Sequence, residues 1–395
     1  MKLKRILTAV LCGVLLFALP GCGDSDIDLS DIFGQEEEID PYPLDTTVGF
    51  IYDGLVGSNQ LIATFEHSRS ELERVLAAET CYIENVRLEQ FDEAVEKLID
   101  AGCDVIVAAS SHFNSRVVML AREYIDILFI SFGGHDQAPN LASIQPLLFQ
   151  AAYINGFVAA YNTYTNKIGM VIDNNMYNAY GVANAFALGA RELQHSQIEL
   201  SLNWALSTHF DDTRRAIDDL RAQGCDIIFI YQSEEYGIRR CVELDLNVMG
   251  FAWNMPELAP DNYLTGMYIN FNTYMIDKVR KYMYGNTVAF GDLTRRGLIH
   301  GTVEMIELHD SILRAGTRDL ADALREMVMD GRSVVFGGEI RDRNDVIRVE
   351  KGTYMQVGQV FTINWLANNI TEEKNFSEPI TEPNYSDLII KKTIR

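Results

Sequence analysis

The stretch "LIDAGCDVIVAAS", closing at Ser110, returns almost unchanged as "LRAQGCDIIFIYQ", closing at Gln232. In the first copy Phe91, Ala94, Val95, Leu98 and Ile99 fall at the i, i+3, i+4, i+7, i+8 spacing of a helix buried on one face. Gly102 stops that helix, and "DVIVAA" (104–109) is a β-branched run of strand length. In the second copy Ala216, Ile217 and Leu220 repeat the stripe, Gly224 the stop and "DIIFIY" (226–231) the strand. A helix feeding an all-apolar strand through one glycine is the αβ half of a parallel, doubly wound sheet. Two copies predict two such sheets.

The rest of the chain extends both series. Strand-like runs at 47–52, 81–86, 104–109 and 127–132 form the first, and runs at 167–172, 198–204, 226–231 and 247–252 the second. Between them "QPLLFQAAYINGFVAAYNTYT" (145–165) reads as an apolar helix rich in small residues, suited to packing against both halves. With 395 residues the chain exceeds what one core usually holds. The expected architecture is α/β, two doubly wound parallel-sheet lobes joined by a hinge. The first lobe is expected over 46–145 plus about 266–300, and the second over 146–265 plus about 301–370. Crossovers near 140–146, 263–268 and 297–302 are the expected hinge, and 371–395 the expected tail, with "DLIIKKT" able to add an edge strand.

The N-terminus sets a compartment. Lys2, Lys4 and Arg5 precede an apolar run from Ile6 to Leu19 that is too short to span a bilayer and ends in Leu19-Pro20-Gly21-Cys22. That ending resembles a lipobox, so residues 1–21 read as a lipoprotein signal and Cys22 as the lipid-bearing residue that anchors the chain to the outer face of the cell membrane. Eight acidic residues between Asp24 and Asp40 make 22–45 a solvated tether. Loss of the leader's three cations takes the formal charge from −23 to −26, which argues against nucleic acid or an anionic surface as partner. Cys81, Cys103, Cys225 and Cys241 are expected as buried free thiols, because Cys103 and Cys225 each precede an apolar strand.

Open parallel sheets bind ligands at the carboxyl ends of their strands. Those ends carry Asp53-Gly54, Ser110-Ser111 and Gly133-Gly134 in the first lobe, and Asp173-Asn174-Asn175, Tyr231-Gln232 and Trp253-Asn254 in the second. Hydroxyls, amides, glycines and aromatic rings are the groups that hydrogen-bond and stack a small polar ring.

"VGFIYDGLVGSNQ", "NLASIQPLLFQAAYINGFVAA", "NAFALGAR", "FDDTRRAIDDLRAQGCDIIF", "VMGFAWNMPELAP" and "VVFGGEIRDRNDVIRVEKG" together resemble the basic-membrane-protein family of lipoproteins. The resemblance runs from Val48 to about Trp365, with "NAFALGAR" and "VFGGEIRD" its most specific parts. It implies a type I periplasmic-binding fold, a purine nucleoside or nucleobase as ligand, and an ABC permease as partner; the receptor itself is expected to be a monomer. Carried over by position, "GSNQ" supplies Ser58, Asn59 and Gln60, without the family's aromatic. Asn254 stands where the family commonly has an aspartate for ribose hydroxyls, and Trp253 where it has a small residue; Trp253 can replace the missing stacking ring or shrink the pocket toward a free base or another ligand. The expected ligand-binding set is therefore Asp53, Ser58, Asn59, Gln60, Ser110, Ser111, Gly133, Asn174, Gln232, Trp253 and Asn254.

Other classes find little support. The chain has no G-x-x-x-x-G-K-[ST] loop, no G-x-S-x-G and no H-E-x-x-H, so no catalytic residue, metal site or cofactor is expected. His112 and His135 lie near strand ends and read as loop histidines. Two rivals use the same pocket: a sensory lipoprotein reporting to a membrane kinase, and an extracellular nucleoside-acting enzyme.

Overall fold

The computed structural model describes residues 44–392 except 58, 194–196, 252–253, 286–290 and 377–387. The expected leader, the Cys22 anchor and the tether up to residue 43 lie outside the described residues, as do Ser58 and Trp253.

The first lobe begins with β1 (Thr47–Ile51), β2 (Glu79–Ile83), β3 (Val105–Ala108), β4 (Leu128–Phe132) and β5 (Leu141–Pro146). The second begins with β6 (Lys167–Ile172), β7 (Glu199–Trp204), β8 (Ile227–Tyr231), β9 (Asn247–Phe251) and β10 (Tyr263–Ile269). Late strands close both sheets: β11 (Leu293–Arg296), β12 (Val303–Ile306), β15 (Ile370–Asn375) and β16 (Lys391–Lys392), while β13 (Ile340–Arg341) and β14 (Ile347–Val349) form a separate hairpin. Sheet one runs β11-β5-β4-β3-β1-β2-β16 and sheet two β12-β10-β9-β8-β6-β7-β15. All pairings in the two sheets are parallel except β16 on β2 and β12 on β10. The order reverses between β1 and β3 in one sheet and between β6 and β8 in the other, the switch points beside which doubly wound sheets hold ligands.

The repeated phrase builds the same corner twice. Helix α1 (Gln60–Leu76) follows β1, and α2 (Phe91–Asp100) leads to the first corner. There Gly102 takes φ +85°, a left-handed conformation that costs glycine little, and Cys103 N–H closes back on Leu98. Asp104 then accepts the N–H of Thr47 at 2.9 Å. Helix α3 (Asn114–Glu123) covers the next strand. In the second lobe α4 (Leu148–Asn162), α5 (Ala179–Arg191) and α6 (Phe210–Ala222) precede the matching corner. Gly224 sits at φ +91°, Cys225 N–H returns to Leu220, and Asp226 accepts from Thr163 Oγ1 and Tyr164 N, each at 2.6 Å. Each aspartate thus pins the chain that leads into its lobe's first strand.

The chain crosses between lobes at Leu147, at Asn270-Phe271 and over 297–302. The third is where the sequence places it, but 141–146 and 263–268 lie within strands, because β5 pairs with β11 as far as Pro146 and β10 with β12 as far as Ile269. The change from second to first lobe therefore falls near residue 270 rather than 266. After that crossing, α7 (Tyr236–Glu243) being already in place under β9, helix α8 (Asn272–Met283) lies on α1. Residues 371–375 are not tail but the edge strand β15, and β16 covers the other open edge at β2. Both sheets would otherwise leave a row of unpaired backbone groups.

Helices α4 and α5 cross almost backbone to backbone. A methyl on Gly156 would stand 1.9 Å from the Phe186 carbonyl oxygen, and one on Gly189 1.8 Å from that of Tyr153. That contact explains why "NAFALGAR" carries small residues. Helix α9 (Thr317–Met329) covers the outer side of α4.

Candidate ligand-binding cleft

Between the carboxyl ends of the two sheets lies a cleft of about 780 Å³ with walls from both lobes. On the first-lobe side Asp53 follows β1 and Ser110, Ser111 and His112 follow β3. Ser110 Oγ donates to Asp53 Oδ2 at 2.6 Å and also accepts the N–H of His112. His112 Nδ1 stands 3.3 Å from the same carboxylate oxygen, and its ring also bonds the backbone of Asn175 across the cleft. The hydrogen bond to Asp53 raises the imidazole pKa above its ordinary 6.5, against the effect of burial. The result is a short polar chain, Ser110 to Asp53 to His112, reaching the opposite lobe.

The second-lobe wall holds Asp173, Asn175, Tyr177, Ser207, Ser233 and Glu234. Asp173 is occupied in shaping its own loops, accepting the N–H of Asn175 at 2.8 Å and of Ser207 at 2.7 Å. Glu234 differs: burial first, and then the neighbouring Glu235 charge, push its carboxyl up to about 7. A carboxyl that holds its proton this tightly next to a cleft can donate its O–H as well as accept through its carbonyl oxygen.

The floor is aromatic. Phe132 lies 4.8 Å, centroid to centroid, from Tyr177, whose other neighbour Phe361 is at 5.6 Å. Phe132 also meets Phe271, the residue at the second crossing, and Phe65 of α1 stacks on Phe271 at 4.5 Å. Floor and crossing therefore share one cluster of rings. Tyr177 is 9% exposed, and its hydroxyl is buried with no hydrogen-bond partner. An orphaned buried hydroxyl costs free energy unless something else satisfies it.

The lobes also touch directly. Gln60 donates its backbone N–H to Ser233 O and its Nε2 to Glu235 Oε1, both at 2.8 Å. Gly133, at φ +75°, leaves room for Tyr177, since a methyl there would sit 2.7 Å from the ring.

The expected residues divide by side-chain direction. Asp53, Asn59, Ser110 and Ser111 line the cleft, although the Asn59 carbonyl oxygen is committed to capping α1, accepting from Leu61 at 2.8 Å and Ile62 at 3.3 Å. Gln60 bridges the lobes instead of lining the cleft, and Gly133 serves Tyr177. Asn174 is exposed to solvent while its neighbours Asp173 and Asn175 face the cavity. Gln232 is buried inside the second lobe, donating to Ala205 O and Thr213 Oγ1, because the residue after β8 turns under the sheet. Asn254 begins a short helix away from the cleft with its Oδ1 buried. His112, read from sequence as a loop histidine, is a cleft residue; His135 pairs with Gln145 elsewhere. Tyr177 and Glu234 were not anticipated, though each lies only a few residues past the end of β6 or β8.

Two α/β lobes flanking a polar and aromatic cleft at the carboxyl ends of both sheets are built to hold a small ligand between them. The chain belongs to the Bmp family, the PnrA-like substrate-binding proteins of ABC transporters, whose family model matches residues 46–334. That match stops just short of "VFGGEIRD". A purine-binding protein of Brucella abortus (strain 2308) is 25% identical over 321 residues, covering 79% of this chain and 87% of its own. Among solved structures, an ABC-transporter solute-binding protein from Aeropyrum pernix K1 superposes with a TM-score of 0.64 at 12% identity, covering 80% of this chain and 95% of that one. A transcriptional activator of the comK gene from Bacillus halodurans does so with a TM-score of 0.62 at 17% identity, over 72% and 98%. The fold is thus shared with regulators, and the family assignment rather than the fold makes this chain an importer's extracytoplasmic receptor for a small molecule. The family is one of substrate-binding proteins, not of enzymes. Among the described residues no helix is long and apolar enough to cross a membrane, and no cluster of His, Cys, Asp or Glu is arranged to hold a metal ion.

Proposed function

We propose that this chain is a lipid-anchored receptor, held to the membrane through Cys22, that closes as a monomer on a purine nucleoside or nucleobase and presents it to an ABC permease. The observation that carries the reading is the Tyr177 hydroxyl, buried without a partner beside Phe132 in a cleft that also holds the Ser110–Asp53–His112 chain. A purine offers a flat ring for the aromatic floor, ring nitrogens to accept from Tyr177 and His112, and N–H groups to donate to Asp53 and Glu234. The purine-binding relative supports the ligand class. Asn59 and Ser111 supply further hydrogen-bonding groups on the first-lobe wall, and Ser58 and Trp253, which lie outside the described residues, are the proposed ribose contacts.

Calorimetric titration of the purified chain with adenine, hypoxanthine, guanine, their nucleosides, glucose and an amino-acid mixture tests the proposal. Saturable purine binding that Asp53→Ala abolishes supports it. Binding of glucose with silence from every purine would remove the ligand assignment and leave the receptor fold intact. Equal affinity for base and nucleoside would mean that the sugar lies outside the cleft.

A further inference from the structure

The two copies of the repeated corner differ at one atom pair. In the first lobe Cys81, on β2, and Cys103, at the corner, bring their sulfurs to 3.4 Å, with the side chains 1% and 2% exposed. Gly49 is the register partner of Cys81, and a methyl on it would come within 3.0 Å of the Cys103 sulfur, so the glycine clears the space where the sulfurs meet. In the second lobe Gly169 pairs with Ser201 in the same register, so Cys225 has a serine where Cys103 has Cys81.

We propose that Cys81 and Cys103 are a disulfide-forming pair in the exported protein, and that Cys225 and Cys241 stay reduced. Bond formation needs the sulfurs to approach by roughly 1.3 Å, to about 2.05 Å, within the reach of side-chain torsions. The compartment is suitable, since substrate-binding proteins of ABC transporters work outside the cytoplasm, where disulfides persist. Local chemistry favours Cys81 as the attacking group: the hydrogen bond from Cys103 lowers its pKa and Arg69 acts in the same direction, against burial that is not yet complete while the β2 edge is open. Cys225, by contrast, is pushed up to about 12 by burial and the adjacent Asp226 charge.

The oxidant is a small-molecule or protein disulfide. The Cys81 thiolate attacks one of its sulfurs, forming a mixed disulfide and releasing one thiolate. Cys103, losing its proton, then attacks the Cys81 sulfur and expels the second thiolate. The two electrons and the two protons of the cysteine thiols end on the two thiols of the reduced oxidant. Since both sulfurs are buried once sheet one is complete, exchange takes place while β2 is still uncovered, and the finished bond resists reductant until the lobe opens. It ties β2 to the corner before β3, enclosing the 85–89 loop that lines the cleft.

The test is to refold the full chain with oxidised and reduced glutathione, or with reductant alone, then denature, alkylate and map the cysteine peptides by mass. The expected result is a linked Cys81–Cys103 peptide short of two hydrogens after oxidative refolding, with Cys225 and Cys241 alkylated. Oxidative refolding is also expected to raise the melting temperature, a rise that Cys81→Ser and Cys103→Ala each remove. Full alkylation of Cys81 and Cys103 after oxidative refolding, or linkage no more frequent than for Cys225 and Cys241, would overturn the proposal. The readout is independent of any ligand, so it stands or falls apart from the purine assignment.

Discussion

The two lobes share strand order, switch point and corner, yet their helices pack by different means. In the first lobe α1 meets α8 through side chains: Phe65 stacks on Phe271, and Ser68 Oγ donates to Asn272 Oδ1 at 2.7 Å. In the second, α4 meets α5 through two glycines with carbonyl oxygens where a methyl group would lie, and 13 of the 15 residues of α4 are buried, so its surface has almost nowhere to move. Side-chain interfaces can repack, whereas backbone contacts are all or nothing. The second lobe therefore behaves as a rigid block, and adjustment to ligand falls to the first lobe and the Phe271 crossing.

That contrast is broken most severely at Gly189. Gly189→Ala is expected to cost about 3–5 kcal/mol, because the new methyl meets backbone that cannot retreat, whereas Ser68→Ala in the first lobe is expected to cost about 1 kcal/mol. Urea unfolding of both variants measures the difference; similar losses would mean that the lobes tolerate change alike. Next comes the pair of corner aspartates. Asp226 receives two short bonds and further ones from Thr165, Asp104 one from Thr47. Asp226→Ala is therefore expected to lose about 2–3 kcal/mol and Asp104→Ala about 1 kcal/mol in the same experiment.

A smaller effect separates stability from binding. Tyr177→Phe removes a hydroxyl that has no partner, so the free protein is expected to be unchanged or slightly more stable, while purine affinity falls about tenfold, near 1.4 kcal/mol. Unaltered affinity would take Tyr177 out of the ligand contacts. The smallest effects are pH windows, one for each lobe. His112 has a raised pKa, so its stabilising pairing with Asp53 is full below about 6.5 and is lost as pH climbs through the raised value. Glu234, raised to about 7, holds its proton more tightly in the fold, so its contribution is full below 4.5 and is lost as pH rises toward 7. Melting temperature followed across pH is expected to flatten above about 6.5 in His112→Gln and between about 4.5 and 7 in Glu234→Gln, each by about 1–2 °C because both groups are partly solvated. A variant that flattens the other's window would show that the two walls titrate as one unit.

What could be read from the sequence follows burial. Of the eight strands read from the sequence, β1, β3, β4, β6, β8 and β9 are apolar runs enclosed on both faces, β2 and β7 are mixed runs nearer the sheet edge, and the matched corners mark where helices hand over to β3 and β8. The edge strands "LTRR" and "ITEEKN" carry no such signature, being polar where one side meets solvent, and only their backbone pairing reveals them; the edge strand expected in "DLIIKKT" is found as β16 because aliphatic Leu388, Ile389 and Ile390 precede its two lysines. The cleft was legible by place but not by direction. The rule that ligands gather at strand ends located Asp53, Ser110 and Ser111, but Gln232 and Asn174 show that the next residue along can turn under the sheet or out to water. Tyr177 escaped because its position depends on the loop that Asp173 folds, a contact between residues that sequence periodicity does not encode.

The late strands also set a timetable. Sheet one receives β11 and β16 from residues 293–296 and 391–392, long after β6 to β10 have been made. A chain synthesised and exported from its N-terminus thus has a first lobe that is started first and finished last. During that interval the outer edge of β2, with Cys81 on it, stays open to any partner that pairs with bare strands or exchanges thiols. Quality control in the cell envelope would meet this protein mainly as an unfinished first lobe beside a nearly completed second one.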